Sequence, residues 1–406
     1  MEKYFIEDFA YLDCCEKETI IANKANGMWI KVPKICYEII KLMSENNKYI
    51  SCGIEYFERE EDKKYFQNII EKLDQIGVLS EYFDDKLYFR RVEVITISLT
   101  NRCNLYCDYC CTNARHNYKD LPTDDIKKII KNIMSFDPKK IVITGGEPMI
   151  RKDFFEIIEY IRKDYSGEIQ LLTNGTYITR DNINLLKMID SISISIDGYN
   201  KKMVDKIRGN GTFEKVINSI SFLQEIKFKK IALSMVFGEN DRNKMNKFKD
   251  FCEISNVKPV YRFFSRFGRG KNLNTYIKNS NISFFPLVLF NKNEYIERTL
   301  CCNPGNLNLF VNYDGNVYPC QNLIHKKFEM FDALDLNQSI VEKIKERSHS
   351  VFDELDKINT ALIERCIDCR HKLFCGYCLA NIDNMFSDIS TLESTCKLIR
   401  NSKLDI

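Results

Sequence analysis

The chain has 406 residues, 44% of them hydrophobic and 29% charged, with a formal net charge of +3. So small a charge does not mark a binder of nucleic acid or of an anionic membrane, and the length suits two or three domains of about 150 residues each. Seventeen cysteines in a chain long enough to bury real cores do not form a disulfide framework, so the thiols are expected to bind metal in a reducing, cytoplasmic setting. The acidic opening Met1-Glu-Lys-Tyr-Phe-Ile-Glu-Asp-Phe9 lacks the pattern of a secretory signal. The most apolar short run, Phe284–Phe290, is brief and contains Pro286, so no membrane span is expected.

Residues 1–90 read as a separate unit. Glu18–Val32 is expected to be a hairpin turned at Asn26-Gly27. A helix is expected from Pro33, a favoured first-turn residue, to Met43, and another over Glu61–Ile76, stopped by Gly77. Strand, hairpin and helices at this length suggest a small winged-helix fold. It carries 13 Lys and Arg against 18 Asp and Glu, a net of −5, whereas a DNA reader needs a basic face. Charge therefore favours capture of a peptide strand over nucleic acid. Cys14, Cys15, Cys36 and Cys52, and Cys252 further on, lack metal-ligand spacing and are expected to be buried thiols.

Next comes the strand-like run Val92–Thr100, followed at once by Cys103-x3-Cys107-x2-Cys110. Three thiolates on one short loop ligate three irons of a 4Fe-4S cube and leave the fourth open to chelate a small molecule. An open metal position marks catalysis. The segment Asn101-Arg-Cys-Asn-Leu-Tyr-Cys-Asp-Tyr-Cys110 resembles the cluster loop of the radical S-adenosylmethionine (SAM) superfamily, with Tyr109 as the aromatic residue before the third ligand. The resemblance implies that SAM binds the open iron and is cleaved to a 5′-deoxyadenosyl radical that abstracts hydrogen. Three structural thiols are the bland alternative. Cys111 is expected to be a bystander, since neighbouring side chains on an extended loop diverge. In front of such a domain, the N-terminal unit resembles a RiPP recognition element, which captures the leader segment of a ribosomal precursor peptide as an added strand.

From the loop onward, strand and helix patterns alternate. Strands are expected at Lys140–Thr144, Glu168–Thr173, Ser191–Ile196, Ile231–Phe237 and Val260–Phe264. Helices are expected at Asp124–Ser135, Asp153–Lys163, Arg180–Ile189, Thr212–Glu225 and Lys244–Ser255. Repeated βα units imply a parallel sheet. With the strand before the loop there are six units over residues 91–285, consistent with the partial (β/α)6 barrel of the family, whose functional loops lie at the C-terminal strand ends. The resemblance then assigns Gly145, Gly146, Glu147 and Pro148 to the amino group of SAM and Asn174 to a lip of the pocket. Ser195 and Asp197 would meet the ribose, and Arg208 the SAM carboxylate. The lysines of Lys227-Phe-Lys-Lys230 are expected to be solvated.

Residues 286–406 carry Cys302-x12-Gly315-x4-Cys320, Cys366-x2-Cys369-x5-Cys375-x2-Cys378 and Cys396. The order resembles the SPASM domain, which holds two auxiliary 4Fe-4S clusters, with x2 where many members have x3 before the sixth cysteine. The resemblance implies Cys366, Cys369, Cys375 and Cys396 for the distal cluster and Cys302, Cys320 and Cys378 for the proximal one. Unless Cys301 also ligates, the proximal cluster keeps an open iron. Zinc is the alternative, but the pairs stand closer together than in a zinc ribbon. The whole resembles a peptide maturase fed by an external electron donor, with thioether formation the first expectation and other crosslinks next. A sulfatase-maturing enzyme is an alternative weakened by Gln321, where that family has an aspartate. An iron-sulfur or zinc regulator on DNA is another, weakened by the acidic N-terminal unit.

Overall fold

The computed structural model describes residues 2–24, 27–83, 92–238, 241–273, 304–369, 371–373, 378–386, 390, 392–394 and 396–397. The described residues form two compact units, one of those up to Phe83 and from Phe352 on, the other of residues 92–273 and 304–351. The stretch 286–406 thus contributes to both. Asn26, Phe284–Phe290, Cys301, Cys302 and Cys375 lie outside the described residues. Among those described, no helix is long and apolar enough to cross a membrane.

In the first unit, β1 (Tyr4–Phe5) is followed by β2 (Ala10–Cys14), β3 (Glu18–Asn23) and β4 (Trp29–Pro33), an antiparallel meander in which Ala22 faces Trp29 across the expected hairpin. Helices α1 (Lys34–Glu45) and α2 (Glu60–Ile76) follow, and β5 (Leu79–Ser80) returns to pair with β1. Helix α1 starts after Pro33 and turns Cys36, Tyr37, Ile40 and Met43 inward. Helix α2 ends at Gly77, whose φ of 79° is the left-handed stop that glycine adopts without strain. Ile21, Val32, Ile40, Phe66 and Leu73 share one core, and burying a side chain of this size contributes about 1.5–3 kcal/mol.

Alternation along β3 sends Ile20 and Ala22 to the opposite face, where they meet Leu373 and Trp29. That face is tied down by polar contacts. Lys372 Nζ lies 3.0 Å from Asp13, and Asn359 donates to the Tyr11 hydroxyl at 2.7 Å. Cys36 is buried as expected, as is Cys252 of the second unit. Cys14, Cys15 and Cys52, however, are exposed. Cys14 ends a strand and Cys15 follows in the turn, so neither has a layer packed over it, and Cys52 lies on the outer side of the 3-10 helix Ile50–Tyr56.

The second unit is built on one nine-stranded sheet. Its first six strands are β6 (Val94–Ser98), β7 (Lys140–Thr144), β8 (Glu168–Thr173), β9 (Ser191–Ser195), β10 (Ile231–Phe237) and β11 (Lys258–Phe263), parallel in sequence order. Helices α3 (Thr123–Ile133), α4 (Phe154–Asp164), α5 (Lys201–Arg208), α6 (Thr212–Glu225) and α7 (Arg242–Ile254) connect them. Beyond β6 the sheet continues with β12 (Asn308–Val311), parallel to β6, then antiparallel β13 (Asn316–Tyr318) and β14 (Phe331–Asp332). The edge strands β11 and β14 do not pair with one another, so the sheet is open. Ile95, Ile97, Ile141, Ile143, Ile169, Leu171, Ile192 and Ile194 are all within 1% of complete burial.

The helix expected over Arg180–Ile189 is a series of turns with only a 3-10 helix at Leu185–Met188. Asn182 accounts for the difference. Its side chain donates to Tyr177 O at 2.7 Å and accepts from Thr179 N at 2.9 Å, satisfying backbone groups locally in competition with a helix. Lys227, Lys229 and Lys230 are exposed, as expected.

Candidate active site

The apolar run of β6 is buried on the sheet and ends before Leu99, so the loop that follows emerges at the C-terminal edge. Its neck is a pair of backbone bonds, Cys103 N to Arg115 O at 3.1 Å and Arg115 N to Asn101 O at 3.1 Å. Inside the neck, Cys110 N donates to Cys107 O and Asn113 N to Cys110 O, each at 3.2 Å. Cys103, Cys107 and Cys110 are free, partly exposed thiols lining one cavity of about 460 Å³. Two of the sulfurs already have hydrogen-bond partners. Leu105 N donates to Cys103 Sγ at 3.4 Å, and Cys110 Sγ and the Thr112 hydroxyl share a hydrogen bond at 3.3 Å. Such bonds tune the potential of a cluster held there.

Gly145 and Gly146 extend β7 into the same cavity wall. Gly145 has a φ of +153°, and a Cβ on Gly146 would lie 2.2 Å from Arg102 O. Glycine is therefore required to press this turn against the cysteine loop, where Gly146 N donates to Thr100 O and Glu147 N to Arg102 O, both at 2.8 Å. Pro148 opens a short 3-10 helix that Glu147 caps. The Glu147 carboxylate is fully buried. It accepts from Thr173 Oγ1 at 2.8 Å, Asn174 N at 2.7 Å and Met149 N at 3.1 Å.

Burial pushes the Glu147 carboxyl up from 4.5 to about 7, against the pull of those donors. Between these two values the folded protein holds a proton that the unfolded chain has released, so this group makes stability fall as pH rises from 4.5 to 7. The full penalty above pH 7 is about 3 kcal/mol, at about 1.4 kcal/mol per pH unit. Anaerobic urea unfolding of the wild type and Glu147→Gln across pH 5–8 should show the stability difference moving toward the variant by about this amount as pH rises. Parallel profiles would contradict the assignment.

Asp197 sits in the left-handed region with φ 56° and is held at both oxygens. Oδ2 accepts from Arg208 Nε at 2.6 Å and Oδ1 from Val236 N at 2.9 Å. Arg208 Nη2 also donates to the Tyr109 hydroxyl at 3.2 Å. Both members of the ion pair are nearly buried, with side chains 9% and 2% exposed. Burial works against the Arg208 charge, but Asp197 and the Cys107 thiol beside it raise its pKa overall. The Cys103 thiol is pushed up to about 11 by burial, and Cys107 is raised by burial with Arg208 opposing. Asn174 spans the rim, donating to Asn104 Oδ1 at 2.9 Å and toward Cys103 Sγ at 3.9 Å. Ser195 lies in the wall at the end of β9.

The lining includes residues that motif reading passed over. Ser193, 3% exposed, has a buried hydroxyl with no hydrogen-bond partner. Arg262 donates to Ser234 Oγ at 2.9 Å, and Gln321 and Asn322 close part of the wall. The alternation of serines in Ser191-Ile-Ser-Ile-Ser195 was the available signal for Ser193, because in a strand alternate residues share a face. Cys111, expected to be a bystander, is exposed and also lines the cavity.

Three thiols, an unsatisfied hydroxyl and the Arg208–Asp197 ion pair around one chamber match what an iron-sulfur cluster and an amino-acid-bearing cofactor require. Cys103, Cys107 and Cys110 would hold the cluster and Arg208 would meet a carboxylate, whereas Glu147 and Pro148 are not among the lining residues and the buried Glu147 carboxyl braces the wall from behind through Thr173 and Asn174. Among the described residues no three His, Cys, Asp or Glu side chains gather as ligands of a single metal ion would. Of the C-terminal cysteines, Cys320 belongs to the second unit, with Asn322 N 3.5 Å from its Sγ. Cys366, Cys369, Cys378 and Cys396 belong to the first unit, where Cys369 N donates to Cys366 O at 2.9 Å.

Residues 97–251 match the Radical SAM superfamily. A probable GTP 3′,8-cyclase of Methanococcus maripaludis is 25% identical over 64% of this chain and 97% of its own length. The GTP 3′,8-cyclase of Lactiplantibacillus plantarum is 28% identical over 50% of this chain and 66% of its own. Among solved structures, SuiB of Streptococcus suis bound to S-adenosylmethionine superimposes with a TM-score of 0.56 at 14% identity, over 94% of this chain and 96% of that one. Native anSMEcpe with bound AdoMet and Cp18Cys peptide gives 0.50 at 17% identity, over 75% and 99%. The protein is an enzyme, and the Radical SAM match over residues 97–251 implies a 4Fe-4S cluster and SAM.

Proposed function

We propose that this radical SAM enzyme modifies a ribosomally made precursor peptide, with a thioether as the first expected product and other crosslinks next. The observation that carries the reading is the extent of the likeness to SuiB, 94% of this chain. SuiB has also been solved with a precursor peptide, SuiA. The likeness to the cyclases spans 64% of the chain or less in the two matches above. Bound at the trio, the cluster and SAM supply the hydrogen-abstracting radical. The residues of this chain orient SAM through Arg208, Glu147 and the glycine turn.

In this reading the acidic N-terminal unit is a RiPP recognition element that takes the leader as an added strand. The C-terminal cysteines form a SPASM domain with two auxiliary clusters, held by Cys366, Cys369, Cys375 and Cys396 and by Cys302, Cys320 and Cys378. The second cluster would have an iron open to a substrate thiolate. An external donor supplies the first electron. Sulfatase maturation is disfavoured because the cavity wall carries the amide of Gln321, not a carboxylate base.

Cyclisation of a guanine nucleotide is a second reading, favoured by the names of the sequence relatives. Anaerobic incubation of the reduced, reconstituted enzyme with SAM, and with either a cysteine-bearing peptide encoded beside its gene or GTP, separates the two. Peptide mass should fall by two hydrogens with GTP untouched. Consumption of GTP with an unchanged peptide would replace the proposal by the cyclase reading.

A further inference from the structure

The segment after β11 meets the cysteine loop backbone to backbone. Arg269 N donates to Cys110 O at 3.0 Å. Gly268, at φ +52°, lies so close that a Cβ would stand 2.3 Å from Cys110 O and 2.4 Å from Cys111 O. The Arg269 guanidinium then reaches along the loop. Nε donates to Cys107 O at 2.9 Å and Nη1 to Ala114 O, while its carbon sits 4.0 Å from the centre of the Tyr106 ring. One residue, more than 150 positions away in sequence, therefore binds three carbonyls that bracket the last two thiols. The loop's own bonds between them are few and long.

We propose that Arg269 is a positioning residue for the cluster, a latch that holds the Cys107 and Cys110 thiols in place and sets a cation beside the sulfurs. A flexible loop must lose backbone freedom when three of its side chains bind one body. A planar guanidinium with several donors in fixed geometry removes that freedom beforehand, which a lysine ammonium does not. Its charge favours the more negative, reduced state of a cluster, whose potential depends on nearby charge and hydrogen bonds. The inference rests on the trio's holding a cluster, and the first readout below needs no cluster.

In metal-free protein, the alkylation rates of individual cysteines, followed by mass spectrometry, should rise several-fold at Cys107 and Cys110 in Arg269→Gln. Rates at exposed Cys52 and buried Cys252 should stay as in the wild type. After anaerobic reconstitution, loss of iron to a chelator should be about 10- to 100-fold faster, the usual cost of removing a supporting partner of a metal ligand. The midpoint potential should also move negative. Arg269→Lys should share the faster alkylation while keeping the potential. Tyr106→Ala, at a 63% exposed position where folding is not at stake, should move alkylation in the same direction by less. Wild-type alkylation and chelator resistance in both Arg269→Gln and Tyr106→Ala would overturn the latch. A wild type that takes up no iron at the trio, yet shows the alkylation differences, would overturn the cluster reading and leave Arg269 only a loop brace.

Discussion

Replacing Cys103, Cys107 and Cys110 together by alanine is expected to reduce SAM cleavage to background, measured as 5′-deoxyadenosine released anaerobically by dithionite-reduced enzyme. The three thiols line one cavity on a loop closed by its own neck of backbone bonds. Their removal takes away the ligands of the implied cluster without touching the sheet beneath. Circular dichroism and the melting temperature of the metal-free protein should stay close to the wild type, since partly exposed thiols carry little packing energy. Iron and sulfide per chain should fall. Deoxyadenosine formation at the wild-type rate by the triple variant would rule out the trio as the reactive centre.

The second large effect is expected from Asp197→Ala. Asp197 is the counter-ion of buried Arg208 and the acceptor for Val236 N. Removing one partner of a buried pair leaves an uncompensated charge, at a cost of about 3–5 kcal/mol. For a unit of this size the melting temperature should drop on the order of 10 °C. SAM affinity, read by equilibrium binding, should weaken as well, because the guanidinium loses the carboxylate that aims it past Tyr109. Asp197→Asn keeps a residue that tolerates the left-handed backbone and a carbonyl oxygen for Val236 N, so it should lose less stability than the alanine. Equal melting temperatures for all three proteins would show that the pair is not buried as described.

Much of this was legible because local pattern and tertiary context agree. Strands β6 to β10 read correctly because each sets buried Ile, Val or Leu at alternate positions and is soon followed by glycine or asparagine, and β11 because Val260–Phe264 is rich in β-branched and aromatic residues. Cys103, Cys107, Cys110 and the Gly145-Gly146 turn, each singled out from a few consecutive residues, do line one cavity. What escaped is non-local. Nothing in Gly268-Arg269-Gly270 says that it will lie on Cys110, and nothing in Asn308–Val311 says that it will pair with β6 in parallel. The division of residues beyond 303 between two units was hidden for the same reason. Arg180–Ile189 failed differently, because its apolar spacing suits a helix while Asn182 satisfies the backbone in turns. Cys14, Cys15 and Cys52 show that a thiol's burial depends on what is layered above it, which residue type alone does not state.

The pairing of β12 with β6, Asn308 opposite Val94 through Val311 opposite Ile97, bears on how the protein can be dissected. A fragment ending at residue 303 would retain all six parallel strands β6–β11 yet strip the neighbour from the strand that feeds the cysteine loop, baring a ladder of unsatisfied amides and carbonyls. Bared ladders recruit other chains. The minimal soluble fragment of the catalytic unit therefore has to extend through β14, and shorter cuts should precipitate however complete their motifs look.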